Sequence, residues 1–496
     1  MSLGELLHEA TVDSIHAAFA SGELSCVALV EGYLARIAAY DRQGPSLRAV
    51  LTVNPDALKI AARMDRQYRE TGGRVGPLHG IPVLLKDNFD TFDMPTSGGN
   101  VAMRASQPAA DAFTVDRMRR AGAIILAKAN LQEFARGGVS ISSLGGQVLN
   151  PYDLTRTPGG SSGGTGAGIA ANFALLGAGS DTGQSIRSPA SANSLVGVRP
   201  TRGLVSRAGV MPNSFTQDEV GPIARSVKDA ARLLDVMAGY DPADPVTAFG
   251  IGRRPASYAA SLDRGALKAA RIGVMTNLYG REQRHAEVSR VMDQVILAMQ
   301  EQGATLVRFD LPEYDSIAPT VGTDRYEAAA AMGRYLAGLG PHAPVTSFRQ
   351  LVDSRSASPD IQKTLEAEIA ISNGLDNIAY KDRMLSRDKL RVVVACKMAD
   401  LELDAILYPL QRVLVAPVGE TEQPERNGVL SHGTGFPAVS FPGGFSRPTA
   451  SAPLGVPVGA ELLGRDYSEA LLLSLAYGYE QAMQPRKPPL STPTLE

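Results

Sequence analysis

Tryptophan is absent from this chain of 496 residues, and cysteine and histidine are scarce. The two cysteines, Cys26 and Cys396, stand far apart in the sequence, so no disulfide framework is predicted. The six histidines do not occur at the paired spacings of metal-binding motifs, and we therefore expect neither a metal nor another cofactor. A net charge of −2 gives no electrostatic reason to expect binding to nucleic acid or to an anionic membrane.

Long apolar segments are also missing. No apolar run reaches the roughly 18 residues that a transmembrane helix requires. Near the N-terminus, Glu5 and Glu9 lie where a secretory signal would have basic residues followed by an apolar core. Together with the low cysteine content, this pattern predicts a cytoplasmic protein. The length alone would suggest two or three domains, and a homo-oligomer stays open.

Glycine, by contrast, is abundant, and it is concentrated around two serines. Ser161 lies in the run Pro-Gly-Gly-Ser-Ser-Gly-Gly at 158–164, and Ser185 lies in Ser-Asp-Thr-Gly-Gln-Ser-Ile-Arg at 180–187. Glycine permits tight turns and a close approach of the backbone to a substrate. A serine hydroxyl in such a loop is a candidate nucleophile, but it needs a base to take its proton.

Lys86 is the candidate base. It follows the apolar run Ile-Pro-Val-Leu-Leu at 81–85, which predicts a buried strand end. Burial disfavours the ammonium form of lysine and lowers its pKa, and a neutral lysine can accept a proton. Two serines and a lysine, without a histidine, indicate chemistry that splits amides and related acyl bonds.

These motifs resemble those of the amidase signature family. The matching segments are 76–88 around Lys86, 150–164 around Ser161, 181–190 around Ser185, and 435–438 and 455–459 near the C-terminus. The resemblance implies that Ser185 is the nucleophile, that Ser161 is a bridging serine in a cis peptide, and that Lys86 is the base. It also implies a single compact α/β domain over residues 1–484, in which α-helices cover a mixed β-sheet core on both sides. A tail rich in Pro, Ser and Thr, which we expect to be loose, follows at 485–496.

The segment before the nucleophile departs from the family pattern at one position. The backbone N–H groups of Thr182, Gly183 and Gln184 are the candidates for an oxyanion hole, which stabilises developing negative charge. The family usually has a glycine in place of Gln184, and a side chain there removes the freedom to adopt a positive φ. Gln184 can still offer its backbone N–H, while its side chain is expected to affect the hole and the substrate range.

Other patterns in the chain resemble functional motifs but are better interpreted as structural. Residues 166–171 fit a dinucleotide-binding fingerprint but follow a loop, so we interpret them as a closely packed helix start. Residues 160–164 fit a nucleophile elbow around Ser162. The elbow requires a preceding strand, and none is predicted there. Residues 386–389 fit the S-x-x-K pattern, and we interpret them as a solvated helix face. Asp181 and Arg187 are expected to form an ion pair that holds the nucleophile region rigid.

Hydrophobic periodicity predicts strands alternating with helices, which favours an α/β fold. The predicted strands are 81–85, 123–128, 271–275, 305–309 and 404–408. The predicted helices are 25–39 with Ser25 as the cap, 56–70, 114–121, 327–336 and much of 356–400. A further helix is predicted between the strands 271–275 and 305–309. The strands 271–275 and 305–309 and the helix between them make a βαβ unit. The helices at 327–336 and 356–400 are candidates for covering the active site.

We therefore expect an amidase, which cleaves the carbon–nitrogen bond of a small or medium amide, anilide or carbamate through an acyl-enzyme. Esters with the same acyl group should also react. Two alternatives stay open. One is the glutaminase subunit of a tRNA-dependent amidotransferase, which makes ammonia from glutamine for partner subunits, and the other is a non-catalytic binding protein on the same fold.

Overall fold

A mixed β-sheet of eleven strands is the centre of the fold. The computed structural model describes residues 2–341, 343–371 and 373–495. The strands are β1 (Val50–Val53), β2 (Pro82–Lys86), β3 (Ile124–Ala129), β4 (Ile141–Ser142), β5 (Gly146–Gln147), β6 (Leu176–Asp181), β7 (Val196–Arg199), β8 (Glu219–Ala224), β9 (Arg271–Met275), β10 (Thr305–Phe309), β11 (Ala405–Pro409), β12 (Ala438–Phe445) and β13 (Pro457–Leu463).

Sixteen α-helices are found within the described ranges, and none of them is both long enough and apolar enough to cross a bilayer. They are α1 (Leu3–Leu7), α2 (Val12–Ser21), α3 (Cys26–Tyr40), α4 (Ala57–Thr71), α5 (Phe113–Arg120), α6 (Gly163–Ala170), α7 (Arg187–Ala192), α8 (Val227–Met237), α9 (Ala286–Glu301), α10 (Pro312–Ile317), α11 (Asp324–Gly338), α12 (Phe348–Asp353), α13 (Pro359–Ala370), α14 (Ile378–Asp400), α15 (Val429–Thr434) and α16 (Glu469–Met483).

The order of strands brings the C-terminal ends of β2 and β6, which are both buried, to one edge of the sheet. Across the sheet the order is β1-β3-β2-β6-β8-β7-β12-β13-β11-β9-β10, and β4 and β5 form a separate antiparallel pair. Strand β2 is parallel to both of its neighbours, β3 and β6. Because parallel strands end at the same edge, Lys86 at the end of β2 lies near Asp181 at the end of β6. The candidate site forms at this edge.

Helices cover the sheet on both faces. A Cβ atom added to Gly459 of β13 would lie 2.6 Å from Ser191 Cβ of α7, so this face of the strand packs on α7. The next residue, Ala460, points to the opposite face, and so does Phe441, its partner in β12. On that face the ring of Phe441 lies 5.2 Å from the ring of Tyr479 in α16. The predicted mixed sheet between helical layers is confirmed.

Most predicted elements occur within a residue or two of their predicted positions. Ser25 caps α3, since its side chain accepts a hydrogen bond from the Ala28 N–H at 3.1 Å. The strands predicted at 271–275 and 305–309 are β9 and β10, which are parallel and joined through α9. Their apolar residues indicate these elements because α3 and α9 each bury one face and β9 is buried along nearly its whole length.

One surface prediction is wrong in part. The segment 386–389 lies in α14, and Arg387 within it is buried instead of solvated. Its guanidinium donates to the carbonyl groups of Thr216 at 3.2 Å and His432 at 2.8 Å. A charged residue with carbonyl partners can be buried, and sequence periodicity does not reveal those partners.

The C-terminal tail is packed against the domain, contrary to the expectation of a loose segment. Arg36 of α3 donates to the carbonyl groups of Thr492 and Pro493, both at 2.8 Å. The guanidinium of Arg486 pairs with the Glu9 carboxylate at 2.6 Å. The composition of the tail is typical of flexible chain, but its carbonyl groups and one arginine provide partners for charged groups of the domain.

Arg486→Ala should lower the free energy of unfolding by about 2–4 kcal/mol, because the Glu9 carboxylate and the Ser194 carbonyl lose a buried partner. Lys487→Ala is the matched control, since the Lys487 side chain is exposed and only its carbonyl is used, by the Tyr152 hydroxyl. Denaturant unfolding of both variants measures the difference. Equal stability of the two variants would contradict a packed tail.

Candidate active site

Lys86 is fully buried, and two serines surround its ammonium group. The Nζ atom donates to Ser161 Oγ at 2.7 Å, to Ser180 Oγ at 2.9 Å and to the Ser180 carbonyl at 3.1 Å. Burial lowers the pKa of Lys86 to about 7, although the charges of Asp181 and Asp218 act in the opposite direction. Near neutral pH, a large share of Lys86 is therefore neutral and able to accept a proton.

Ser161 is held over Lys86 by the loop that precedes α6. The Gly160–Ser161 peptide bond is cis, as the resemblance implied. The next residue ties this loop to the second glycine-rich loop, because the Ser162 N–H donates to the Ser185 carbonyl at 3.1 Å. The structure thus brings the three predicted residues Lys86, Ser161 and Ser185 into one region.

Ser162 and Ser185 differ in access. The Ser162 side chain is fully buried, and its hydroxyl donates to the Ser180 carbonyl at 3.3 Å. Ser185 lines a cavity, and its hydroxyl makes no hydrogen bond within the part of the chain that the structure describes. These positions favour Ser185 over the elbow serine as the reactive hydroxyl.

An ion-pair network anchors the nucleophile loop, residues 182–186, which connects β6 to α7. The Asp181 carboxylate accepts from Arg187 Nε at 3.0 Å, from Arg199 Nη1 at 2.9 Å and from the Ile186 N–H at 3.1 Å. Burial raises the pKa of Asp181, but the two guanidiniums outweigh burial and hold the pKa well below its usual value. The predicted Asp181–Arg187 ion pair is confirmed.

Three successive carbonyl groups of the nucleophile loop are each bound by another group. Thr182 O accepts from Gln217 Nε2 at 3.3 Å, Gly183 O from Arg187 Nη2 at 2.6 Å, and Gln184 O from the Ser188 N–H at 2.7 Å. In a trans peptide the N–H points away from the carbonyl of the same unit. The N–H groups of Gly183, Gln184 and Ser185 therefore point away from these partners, and none of them donates to another described residue.

Asp218 fixes the first residue of the nucleophile loop. Its carboxylate accepts from Thr182 Oγ1 at 2.6 Å and from the N–H groups of Asn213 at 2.7 Å and Ser214 at 2.8 Å. Burial raises the pKa of Asp218, and these hydrogen bonds oppose the increase. The carboxylate thereby joins the loop to the segment that precedes β8.

Two cavities meet at the nucleophile loop. The polar cavity, of about 540 Å³, contains Ser185 and is lined mainly by charged and polar side chains. These include Arg136, Asp324, Glu368, Arg383, Arg426 and His432. The apolar cavity, of about 380 Å³, is lined by Val210, Met211, Pro212, Phe215, Val220 and Ala331, among others. Ala135, Thr182 and Asn213 line both cavities, so the two adjoin beside the loop.

Gln184 occupies its position without backbone strain. Its φ is not positive, so the position does not require the glycine usual in the family. The side chain is buried against Gly428, where an added Cβ atom would lie 2.9 Å from Gln184 Cβ. Both polar atoms of the carboxamide are buried without a partner. The departure from the family pattern therefore leaves two side-chain atoms without hydrogen bonds but does not strain the backbone.

Sequence reasoning missed several residues of this site. His432 lines the polar cavity, and burial, with the charge of Arg387, lowers its pKa well below the usual value. Arg199 and Asp218 anchor the nucleophile loop from distant parts of the chain. None of them belongs to a local motif, so one sequence offers no signal for their roles. Within the described ranges, no group of three or more His, Cys, Asp or Glu side chains is placed to hold a metal ion.

Comparison with known families gives the same assignment as the motifs. The family model described as Amidase matches residues 28–473, which is nearly the whole chain. The chain belongs to the amidase family. It is an amidase-family enzyme acting on carbon–nitrogen bonds, and its fold is that of the amidase signature enzymes.

Proteins similar to this chain include an amidotransferase subunit and amidases. A glutamyl-tRNA(Gln) amidotransferase subunit from Alkaliphilus metalliredigens is 35% identical over 96% of this chain and 97% of its own length. A "Probable amidase" from Arabidopsis thaliana is 34% identical over 97% of this chain and 92% of its own. The X-ray structure of a peptide amidase from Stenotrophomonas maltophilia superposes with a TM-score of 0.87 at 38% identity, covering 97% of this chain and 98% of that one.

Gln184→Met should raise the free energy of unfolding by about 1 kcal/mol, because it removes two buried polar atoms that have no partner. Gln217→Met is the matched control. The Gln217 amide is also buried, but it donates to Thr182 O and accepts from the N–H and hydroxyl of Thr323. We expect this variant to lose about 2–3 kcal/mol. Thermal and denaturant unfolding report both values, and a loss in Gln184→Met would mean that its carboxamide is satisfied.

Proposed function

We propose that this enzyme hydrolyses a small or medium amide, anilide or carbamate in the cytoplasm through an acyl-enzyme on Ser185. The observation that carries the proposal is the position of Lys86, whose Nζ is buried 2.7 Å from Ser161 Oγ with a pKa lowered to about 7. A base that is neutral near pH 7 is what a serine nucleophile without a histidine requires. The peptide amidase and the "Probable amidase" among the similar proteins are consistent with this chemistry.

In the first half of the reaction, Ser185 Oγ attacks the substrate carbonyl carbon. Its proton passes to Ser161 Oγ while the Ser161 proton passes to Lys86 Nζ. The oxygen of the tetrahedral intermediate becomes negative and accepts hydrogen bonds from the free N–H groups of the nucleophile loop, which are those of Gly183, Gln184 and Ser185. The carbon–nitrogen bond then breaks, the departing amine takes the proton from the relay, and Ser185 carries the acyl group as an ester.

In the second half, a water molecule attacks the ester carbonyl of the acyl-enzyme. The relay through Ser161 takes a proton from the water, and the same N–H groups stabilise the second intermediate. The carbon–oxygen bond to Ser185 breaks, Ser185 recovers its proton, and the acid leaves. An ester with the same acyl group passes through the same intermediates, which is why side activity on esters is part of the proposal.

A second function of the same family is separated from the proposed one by experiment. The similarity to a glutamyl-tRNA(Gln) amidotransferase favours a glutaminase that works with partner subunits. Release of amine from simple amides by the purified chain alone separates the hydrolase from this alternative.

Ser185→Ala should abolish labelling by a fluorophosphonate and remain folded, because the Ser185 hydroxyl makes no hydrogen bond within the described structure. Ser162→Ala is the matched control in the adjacent loop and should still be labelled. Mass spectrometry of the labelled peptide locates the adduct. An adduct on Ser162 would overturn the proposed nucleophile in favour of the elbow.

The pH dependence should follow the ionisation of Lys86. Its pKa, lowered to about 7 by burial, separates an inactive ammonium form at low pH from an active amine at high pH. We therefore expect kcat/KM to fall about tenfold per unit below pH 7 and to level off above about pH 8. Lys86→Arg should lose at least about a hundredfold in activity, since a guanidinium stays protonated. A fully active Lys86→Arg enzyme would exclude this lysine as the base.

A further inference from the structure

The apolar cavity adjoins the polar cavity at the nucleophile loop but has walls of its own. Its walls come from the segment before β8, which includes Met211 and Phe215, and from α11, which includes Ala331. Arg334, a charged side chain of this lining, is exposed and stacks its guanidinium over the Phe215 ring at 4.7 Å. Arg207 pairs with Asp244 at 2.7 Å. An apolar space whose charged side chains are paired or stacked at its margin is suited to an uncharged apolar group.

A polar group stands where the two cavities join. The Asn213 side chain is buried and lines both cavities. Its Oδ1 atom is buried without a partner, and its Nδ2 atom donates to no described residue. The carboxamide therefore has a hydrogen bond to offer to a substrate that enters the junction, and turning the amide exchanges its donor and acceptor ends. Leaving a buried polar group without a partner is costly, so a bound ligand that pairs with it gains affinity.

Asn213 is also fixed relative to the nucleophile. Its N–H and the Thr182 hydroxyl bind the same Asp218 carboxylate, at 2.7 Å and 2.6 Å. Thr182 is the first residue of the loop that carries Ser185. A group bound by the Asn213 carboxamide is therefore held at a set position from the reacting hydroxyl, which is what a specificity contact requires.

We propose that the apolar cavity is the specificity pocket for the acyl part of the substrate, and that the Asn213 side chain binds a polar group of that acyl part next to the scissile carbonyl. This inference rests on the proposed function and names its substrate class. That class consists of amides whose acyl part carries a ring or branched apolar group together with an amide or similar polar group, such as N-acylated apolar amino acid amides. The volume of about 380 Å³ fits one such group.

Three primary amides test the proposal, because ammonia is the leaving group in each and all recognition lies in the acyl part. N-acetylphenylalaninamide has both features, N-acetylglycinamide lacks the ring, and 3-phenylpropanamide lacks the acetamido group. The wild-type enzyme should prefer the first over each of the others by about tenfold or more in kcat/KM. A preference of less than twofold would overturn the proposal.

Ala331→Leu should lower the preference for N-acetylphenylalaninamide over N-acetylglycinamide by about tenfold, because the added atoms occupy the apolar cavity. Ala337→Leu is the matched control, since Ala337 is exposed on the same helix and does not line the cavity. Met211→Ala enlarges the cavity and should shift the substrate preference toward larger rings. This second variant tests the pocket even if Ala331→Leu folds poorly. An unchanged preference in both cavity variants would overturn the proposed pocket.

Asn213→Leu keeps the size of the side chain and removes its polar atoms. It should lower kcat/KM about tenfold or more for N-acetylphenylalaninamide but less than threefold for 3-phenylpropanamide. An equal loss with both substrates would assign Asn213 a merely structural role. If no amide is hydrolysed and Ser185 is not labelled, the proposed function itself fails. If the amides are hydrolysed with unaltered ratios, only this inference fails.

Discussion

The buried carboxylate of Asp181, held between two guanidiniums, is the interaction on which the arrangement of the site depends. Asp181 ends β6, and the residue before it, Ser180, provides two of the acceptors around Lys86. Its partner Arg187 begins α7 and also binds the Gly183 carbonyl. A second acid, Glu461 of β13, pairs with the same arginine at 2.7 Å. One network of charges therefore positions the base, the nucleophile loop and the following helix.

Burial decides the charge of Lys86, against the effect of the Asp181 carboxylate. An isolated buried carboxylate so close would stabilise the ammonium form and keep the lysine protonated at neutral pH. Asp181 and Asp218 do act in this direction, and Asp181 is itself paired with Arg187 and Arg199. Desolvation of the ammonium group then dominates, and the pKa falls to about 7. The basicity of Lys86 thus depends on burial, which outweighs the charges of Asp181 and Asp218.

The local parts of the site could be predicted from the sequence, and the long-range parts could not. The apolar run before Lys86 and the glycines around Ser161 and Ser185 are local signals, and the structure places these three residues together. The Arg36 side chain that holds the tail, and the Asp218 carboxylate that holds Thr182, find their partners far along the chain. Such contacts depend on how strands and loops meet in space, so a composition typical of flexible chain gave a wrong expectation for the tail.

The structure also explains why the site tolerates Gln184 where the family usually has glycine. A peptide unit has two polar ends, and binding the carbonyl end directs the N–H end the other way. Gly183 O and Gln184 O are held by Arg187 and by the Ser188 N–H, so the free N–H groups result from backbone anchoring alone. With an ordinary φ, Gln184 supplies this backbone as glycine would, while its side chain fits against Gly428. The backbone of the loop therefore does not require a glycine at this position as long as the carbonyl partners stay.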